Sequence, residues 1–250
     1  MRTRLSQRVT ILTHTNVGYN DHPLQEYYPP ETAAVRLGPG CFVGAGVTIL
    51  PGAIVGEGAL VGAGDHILIS DSVYGPTRTF CDQVLSRYGG STEYYPSDIG
   101  DASEEVIEKD TRLVFMEAPG SLTFEMQDIP GITRAAKEKG VLTVMDNTWA
   151  TPVFFRPLEH GVDISIQAGT KYIAGHSDLV IGMVTSSSEA THRMLVSHAH
   201  NLGDAASPDD CYLALRGLRT LSVRLCRQQE TTLKVATWLS DQPQVCLLYT

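Results

Sequence analysis

Aliphatic residues in the first quarter of the chain recur at every sixth position. The row consists of Leu37, Val43, Ile49, Val55 and Val61, and a glycine stands three places after each of them. A period of six fits neither the 3.6-residue period of a helix nor the two-residue period of a strand. It is typical of hexapeptide β-helices, in which short strands turn at regular corners. The pattern therefore predicts a short left-handed β-helix over residues 1–64.

A second pattern begins after residue 64, where apolar strands alternate with amphipathic helices. The predicted strands are 66–70, 111–117, 141–145, 164–166 and 179–185, and the predicted helices are 76–88, 129–139, 208–229 and 230–239. Nearly continuous apolar strands separated by helices indicate a mostly parallel sheet with both faces covered. The sequence thus predicts an α/β domain over residues 65–250.

Several side chains that could bind a ligand or transfer a proton lie near the carboxyl ends of these strands, where open α/β sheets bind ligands. Asp146 ends one strand, Lys171 follows another, and Tyr74 comes shortly after the first. A lysine and a carboxylate suit pyridoxal 5'-phosphate (PLP), because the amine condenses with its aldehyde and the carboxylate keeps its ring nitrogen protonated. Tyr74 would cover the ring, and the Thr170 hydroxyl would hold the phosphate. Taken alone, an aspartate–lysine pair is more often a salt bridge, so both interpretations stay open at this point.

The sequence motifs around these residues favour PLP binding over a simple salt bridge. Residues 146–150 (DNTWA) and 163–178 (DISIQAGTKYIAGHSD) resemble the signature of the Cys/Met metabolism family of PLP-dependent enzymes, and residues 117–121 and 216–221 resemble two further family motifs. The resemblance covers about residues 65–250 and implies the large domain of the PLP-dependent transferase fold (fold type I). Trp149 and Ser121, with Ala168 where many relatives have serine, are similar to bacterial cystathionine β-lyases.

This resemblance implies a carbon–sulfur lyase of methionine biosynthesis and transsulfuration that converts cystathionine to homocysteine, pyruvate and ammonia. Lys171 would bind the cofactor and move the proton at Cα, with Lys171 or Tyr74 protonating the leaving thiolate. Asp146, Thr170 and Tyr74 would bind the cofactor, although Tyr74 could simply be a packed aromatic. Asn147 and Trp149 could contact the ligand or only pack, and His176 and Asp178 would fix the loop after the lysine. The family also implies a homo-oligomer, and no metal site is expected.

Two other functions compete with this one. Residues 1–64 resemble a hexapeptide-repeat sugar O-acetyltransferase, which would use acetyl-CoA with His14, or less favourably His22, as the general base. Either histidine could equally lie in a loop without a task. The third reading is an inactive PLP-binding remnant. The family's Ser-Gly-rich phosphate turn, its Tyr-x-Arg segment and its small C-terminal domain have no counterpart in the sequence, so we expect weak or no cystathionine cleavage by residues 1–250 alone.

Composition excludes some partners. With 19 basic and 28 acidic residues the net charge is −9, which disfavours nucleic acid because phosphate binding needs clustered basic residues. No apolar run reaches the ~18 residues of a membrane helix. Five cysteines without a CxxC pair favour free, buried thiols in a reducing cytoplasm. The expected protein is therefore cytoplasmic and acts on a small molecule.

Overall fold

The computed structural model describes residues 64–100 and 103–246, together with eight two-residue strands between Arg4 and Val55. The chain forms two compact units. One comprises Met1–Gly62 and His192–Ala205, and the other comprises Ala63–Thr191 and Ala206–Thr250. The domain boundary expected after residue 64 stays a prediction.

Short strands in the first unit follow the period of six. Four of them are Arg36–Leu37, Phe42–Val43, Thr48–Ile49 and Ile54–Val55, and the first pairs in parallel with the last. The side chains of the predicted aliphatic column lie outside the described residues, so the β-helix stays a prediction. His14 is in the strand His14–Thr15, but its side chain and all of His22 also lie outside the described part, and the acetyltransferase reading stays open.

The second unit is built on a six-stranded sheet. Its strands are β1 (His66–Ser70), β2 (Ser91–Tyr95), β3 (Thr111–Glu117), β4 (Leu142–Asp146), β5 (Ile164–Ala168) and β6 (Gly182–Ser186), in the spatial order β2-β1-β3-β4-β5-β6. The first five are parallel and β6 is antiparallel to β5. The predicted mostly parallel α/β sheet is confirmed.

Two edge strands differ from the prediction. Strand β2 was not predicted, because its sequence STEYY has polar residues on an exposed edge and lacks the apolar run used as the signal. The strand predicted at 179–185 begins at Gly182 and runs antiparallel. Leu179 is buried just before it, in the segment that connects the strand to the lysine turn. Runs of apolar residues therefore predicted the central strands of the sheet more accurately than its two edge strands.

Helices α1 to α7 comprise the following segments: Gly75–Gln83, Ser103–Val106, Ile129–Glu138, Thr151–Phe154, Glu189–Leu202, Pro208–Leu218 and Leu221–Ser240. The continuous helix predicted over 208–229 is wrong, because the chain turns a corner between α6 and α7 at residues 219–220. The break predicted after residue 229 is absent, since α7 continues through it. Helix α5 was also missed. No helix in the described part of the chain is both long and apolar enough to cross a membrane.

The core below the sheet holds the strand ends in position. Helix α3 places Ile132 and Ala136 against Val114 and Met116 of β3 and Met145 of β4, all nearly inaccessible to solvent. Burying each large aliphatic side chain stabilises the fold by about 1.5–3 kcal/mol. The last residues of β3 and β4, which follow these core positions directly, are thereby held at one edge of the sheet.

The described cysteines are all free, in agreement with the prediction of a fold without disulfides. The expectation that they are buried is wrong for most of them. Cys81 is buried, whereas Cys211, Cys226 and Cys246 are exposed. Cys211 and Cys226 lie on the solvent-facing sides of α6 and α7, whose buried residues are few.

Candidate active site

A cavity of about 500 Å³ opens at the carboxyl ends of the central strands. Tyr74, Asp146 and Lys171, three of the four predicted cofactor residues, line it together. The other lining residues are Glu117, Pro119, Ser121, Leu122, Phe124, Thr148, Trp149 and Tyr172. Its volume falls in the range typical of small-molecule sites, about 300–1,000 Å³.

Lys171 lies in the turn that follows β5. Its backbone N–H donates to the Ala168 carbonyl at 3.0 Å, and its own carbonyl accepts from Gly175 N–H at 2.8 Å. The side-chain Nζ stands 4.9 Å from the centre of the Tyr74 ring. This distance is within the range of a cation–π interaction, about 6 Å. The amine therefore faces an aromatic surface inside the cavity.

Helices α6 and α7 clamp the turn from outside. The Arg224 guanidinium donates to the Ile173 carbonyl at 3.3 Å and to the Gly217 carbonyl at 2.9 Å. Arg216 pairs with Asp178 at 3.0 Å. The His176 ring Nδ1 lies 2.8 Å from the Ala174 carbonyl oxygen. His176 and Asp178 thus make the loop-fixing contacts that were expected of them.

At Gly217, helix α6 packs tightly against the backbone of the lysine turn. A Cβ at this position would overlap the carbonyl oxygens of Ile173 and Ala174, which are backbone atoms that cannot rotate away. We expect Gly217→Ala to lower the free energy of unfolding by about 1–3 kcal/mol through overpacking, although alanine is the better helix former. Urea denaturation would measure the change. Gly182→Ala, where a Cβ meets nothing within 4 Å, is the matched control; equal losses in both variants would contradict the prediction.

Asp146 is held at the end of β4 between two neighbouring strands, in register with Glu117 of β3 and Ile166 of β5. Its Oδ1 accepts from Thr148 N–H at 2.9 Å, and the Thr148 hydroxyl accepts from Ala168 N–H at 2.7 Å. Only one of the two carboxylate oxygens is bonded within the described residues. The carboxylate is therefore oriented by its own loop and keeps an oxygen for a ligand.

The two residues after Asp146 with open roles are now distinguished. Asn147 is fully buried, and its side-chain amide donates to the Phe155 carbonyl at 3.0 Å, so it serves the fold. Trp149 lines the cavity and packs edge-to-face with Phe124, their ring centres 5.0 Å apart. Trp149 therefore belongs to the cavity wall.

Thr170 does not line this cavity with the other three residues. Its hydroxyl accepts from Ile181 N–H at 2.9 Å and lies 3.3 Å from the Ile181 carbonyl oxygen. These contacts tie it to the chain segment before β6, and it borders a neighbouring, more open cavity that it shares with Lys171. Thr170 thus borders the cavity that adjoins the site at Lys171 and Tyr172, and its role toward the phosphate stays a prediction.

Glu117 is a cavity residue to which the sequence reasoning assigned no role. It is the last residue of β3 and is buried. Its Oε2 accepts from Tyr74 N–H at 2.8 Å, and its Oε1 accepts from the Ser121 hydroxyl at 2.6 Å. The position of Glu117 at the end of a predicted strand, like that of Asp146, was the signal that could have identified it.

Burial raises the pKa of Glu117 above its ordinary value of 4.5, and nearby Asp146 also raises it, whereas the bonds from Ser121 and Tyr74 and the charge of Lys171 lower it. The folded chain therefore binds this proton more tightly than the unfolded chain. The corresponding stability is present below pH 4.5 and is lost as the pH rises through the folded pKa. Glu117→Gln cannot titrate. We expect its free energy of unfolding, relative to wild type, to rise across that range in urea titrations; a difference independent of pH would contradict this.

Comparison with known proteins agrees with this geometry. The family described as Cys/Met metabolism PLP-dependent enzyme matches residues 40–249. A putative cystathionine beta-lyase of Rhizobium johnstonii is 53% identical over 183 residues, which cover 73% of this chain and 46% of that protein. The cystathionine beta-lyase of Haemophilus influenzae is 44% identical over 188 residues, covering 74% and 47%. The chain thus spans about half the length of these curated relatives.

A solved structure shows the same fold. The chain is similar to the cystathionine gamma-lyase of Lactobacillus plantarum, crystallised with L-serine, with a TM-score of 0.73 and 31% identity. The similarity covers 75% of this chain and 49% of that one. The expected PLP-dependent transferase fold of the second unit is confirmed.

Proposed function

Because the chain belongs to the Cys/Met metabolism family of PLP-dependent enzymes, we propose that it cleaves a carbon–sulfur bond in an amino-acid thioether, with cystathionine as the substrate. The products would be homocysteine, pyruvate and ammonia, with one water consumed. The observation that carries the proposal is the Lys171 amine 4.9 Å from the Tyr74 ring centre, in a cavity that also contains the Asp146 carboxylate.

The donor set of the cavity fits PLP. The Lys171 amine can hold an aldehyde, and the oriented Asp146 carboxylate can accept from a protonated ring nitrogen. Tyr74 and Trp149 provide aromatic surface at the cavity wall, and both are partly exposed to it. Thr170 would contribute to the phosphate only if its hydroxyl gave up its contact with the Ile181 carbonyl.

The protein's own groups account for the proton movements. When bound, PLP withdraws electrons from the Cα of the attached amino acid. The Lys171 amine takes the Cα proton as general base. As the Cβ–S bond breaks, its electron pair stays on sulfur, and the ammonium of Lys171 or the hydroxyl of Tyr74 returns a proton there. The Asp146 carboxylate would accept a hydrogen bond from the protonated ring nitrogen of PLP and so favour its electron withdrawal.

The purified chain, supplied with PLP and cystathionine, would test this function. Since only weak cleavage is expected of residues 1–250 alone, any pyruvate and homocysteine should form slowly and in equal amounts, measured by chromatography. PLP binding without either product would favour the inactive PLP-binding remnant, and acetyl transfer from acetyl-CoA would favour the hexapeptide-repeat reading. A homo-oligomeric state and a cytoplasmic location stay predictions that sizing of the chain and cell fractionation would check.

A further inference from the structure

Glu117 joins two separate walls of the cavity. One carboxylate oxygen bonds the backbone of Tyr74 and the other bonds the side chain of Ser121, at 2.8 Å and 2.6 Å. Both partners line the cavity. The carboxylate itself is anchored at the end of β3, beside Asp146, whose strand pairs with β3 in register. A single side chain on the rigid sheet therefore connects two loops that carry the site.

The hydrogen bond from Tyr74 N–H to Glu117 takes the place of a side-chain cap at the start of helix α1. Tyr74 is the N-cap of α1, yet its side chain makes no capping bond, and the first turn contains no acidic residue. In a capping box, a glutamate in the third helical position accepts from the N-cap backbone N–H. Here the acceptor comes from β3 instead. The start of α1, and with it the Tyr74 residue that faces Lys171, is thereby tied to the sheet.

The other loop is held by several bonds that converge near the same point. Ser121 N–H donates to the Ser72 carbonyl at 2.8 Å, and the Ser72 hydroxyl bonds those of Ser70 and Ser97 at 2.9 Å and 2.7 Å. The loops around Tyr74 and Ser121 are thus bonded to each other as well as to Glu117. A shift of the carboxylate would move both.

We propose that Glu117 is a positioning residue that sets the distance between the Tyr74 ring and the Lys171 amine by holding the Tyr74 and Ser121 loops on the end of β3. This role rests on the proposed function, since it matters only if the cavity binds PLP. It depends on the reach of the side chain and on its two hydrogen bonds rather than on its charge.

Two substitutions separate reach from charge. Glu117→Gln keeps the length, because its carbonyl oxygen can accept from Tyr74 N–H and its amide can donate to the Ser121 oxygen. Glu117→Asp keeps the charge but is one methylene too short to bond both loops. If Glu117 acts by positioning, the Glu117→Gln variant should match wild type in amide protection and PLP binding, and the Glu117→Asp variant should not. A role of the charge predicts the reverse.

Hydrogen exchange of the Tyr74 amide, in the full chain without added PLP, measures the tether directly. We expect exchange about tenfold faster or more in Glu117→Asp and Glu117→Ala, and within about threefold of wild type in Glu117→Gln. Glu138→Ala, which removes an exposed carboxylate at the end of helix α3 outside the cavity, is the control and should leave the rate unchanged. Unchanged protection in the aspartate variant would overturn the proposal.

PLP titration, followed by visible absorbance, measures the consequence. We expect the Kd to rise about tenfold or more in Glu117→Asp and to stay within about threefold of wild type in Glu117→Gln, since a tenfold change corresponds to the loss of one moderate hydrogen bond. Lost amide protection with an unchanged Kd would overturn the positioning role. A wild-type chain that binds no PLP would instead overturn the proposed function, while the exchange data would still decide whether Glu117 holds the loop.

Discussion

Lys171→Ala is expected to abolish the covalent attachment of PLP and to lower carbon–sulfur cleavage by about a thousandfold or more. The amine is the nucleophile toward the cofactor aldehyde, and general base catalysis alone contributes about 10²–10⁴ in rate. Borohydride reduction of the chain with PLP, followed by peptide mass spectrometry, measures the attachment. In wild type the added mass should lie on the peptide that contains Lys171.

Lys234→Ala is the matched control, because Lys234 is an exposed lysine of helix α7 outside the cavity. This variant should be labelled by PLP at Lys171 and should cleave cystathionine at the same rate as wild type. Reduction that marks other lysines as strongly as Lys171 would contradict the assignment. The contact between Nζ and the Tyr74 ring makes the Lys171 amine the one already positioned within the cavity.

Asp146→Asn is expected to leave PLP attached to Lys171 but to slow proton removal at Cα by about ten- to a hundredfold or more. The amide removes the negative charge opposite the ring nitrogen, and a hydrogen bond to a charged group contributes about 1.5–3 kcal/mol. Deuterium incorporation at Cα of cystathionine measures this step even where product release is slow. The bond from Thr148 N–H can persist, since the asparagine carbonyl accepts it as well.

The control for this variant is Asp98→Asn, which removes the same charge from an exposed turn. It should exchange the Cα proton at the wild-type rate. If Asp146→Asn lost PLP altogether, Asp146 would be required for binding rather than for electron withdrawal. If it exchanged as fast as wild type, the pairing of Asp146 with the ring nitrogen would be wrong.

Local sequence signals predicted the central part of the fold because they depend on short segments. The apolar runs that became β1, β3 and β4 are buried on both faces, so each run indicates its strand without its neighbours. Strand β2 was not predicted, because an edge strand buries few side chains and its alternation of apolar and polar residues is weak. The break between α6 and α7 was not predicted for a different reason: the helical spacing of apolar residues continues without interruption across residues 219–220.

The candidate reactive residues of the site were predicted from residue type and position near strand ends. Asp146, Lys171 and Tyr74 lie close together because parallel strands all finish at one edge of the sheet, a consequence that does not require knowledge of the packing. The family motifs around them pointed in the same direction. Residue type and strand order were therefore sufficient to predict that these three line one cavity, while their chemical roles stay predictions.

Hydrogen bonds that form only in the folded chain determined the remaining features. Thr170 turned toward Ile181 because the segment before β6 presents its backbone there, and Asn147 turned inward to the Phe155 carbonyl. Glu117 became the link between two loops only once β3 lay beside α1. Hydrogen bonds that join residues 43 or more positions apart, such as the one from Tyr74 to Glu117, leave no periodic trace in the chain. They arise when folding brings a buried acceptor and an unpaired donor together, since leaving either unsatisfied would cost about 1–3 kcal/mol.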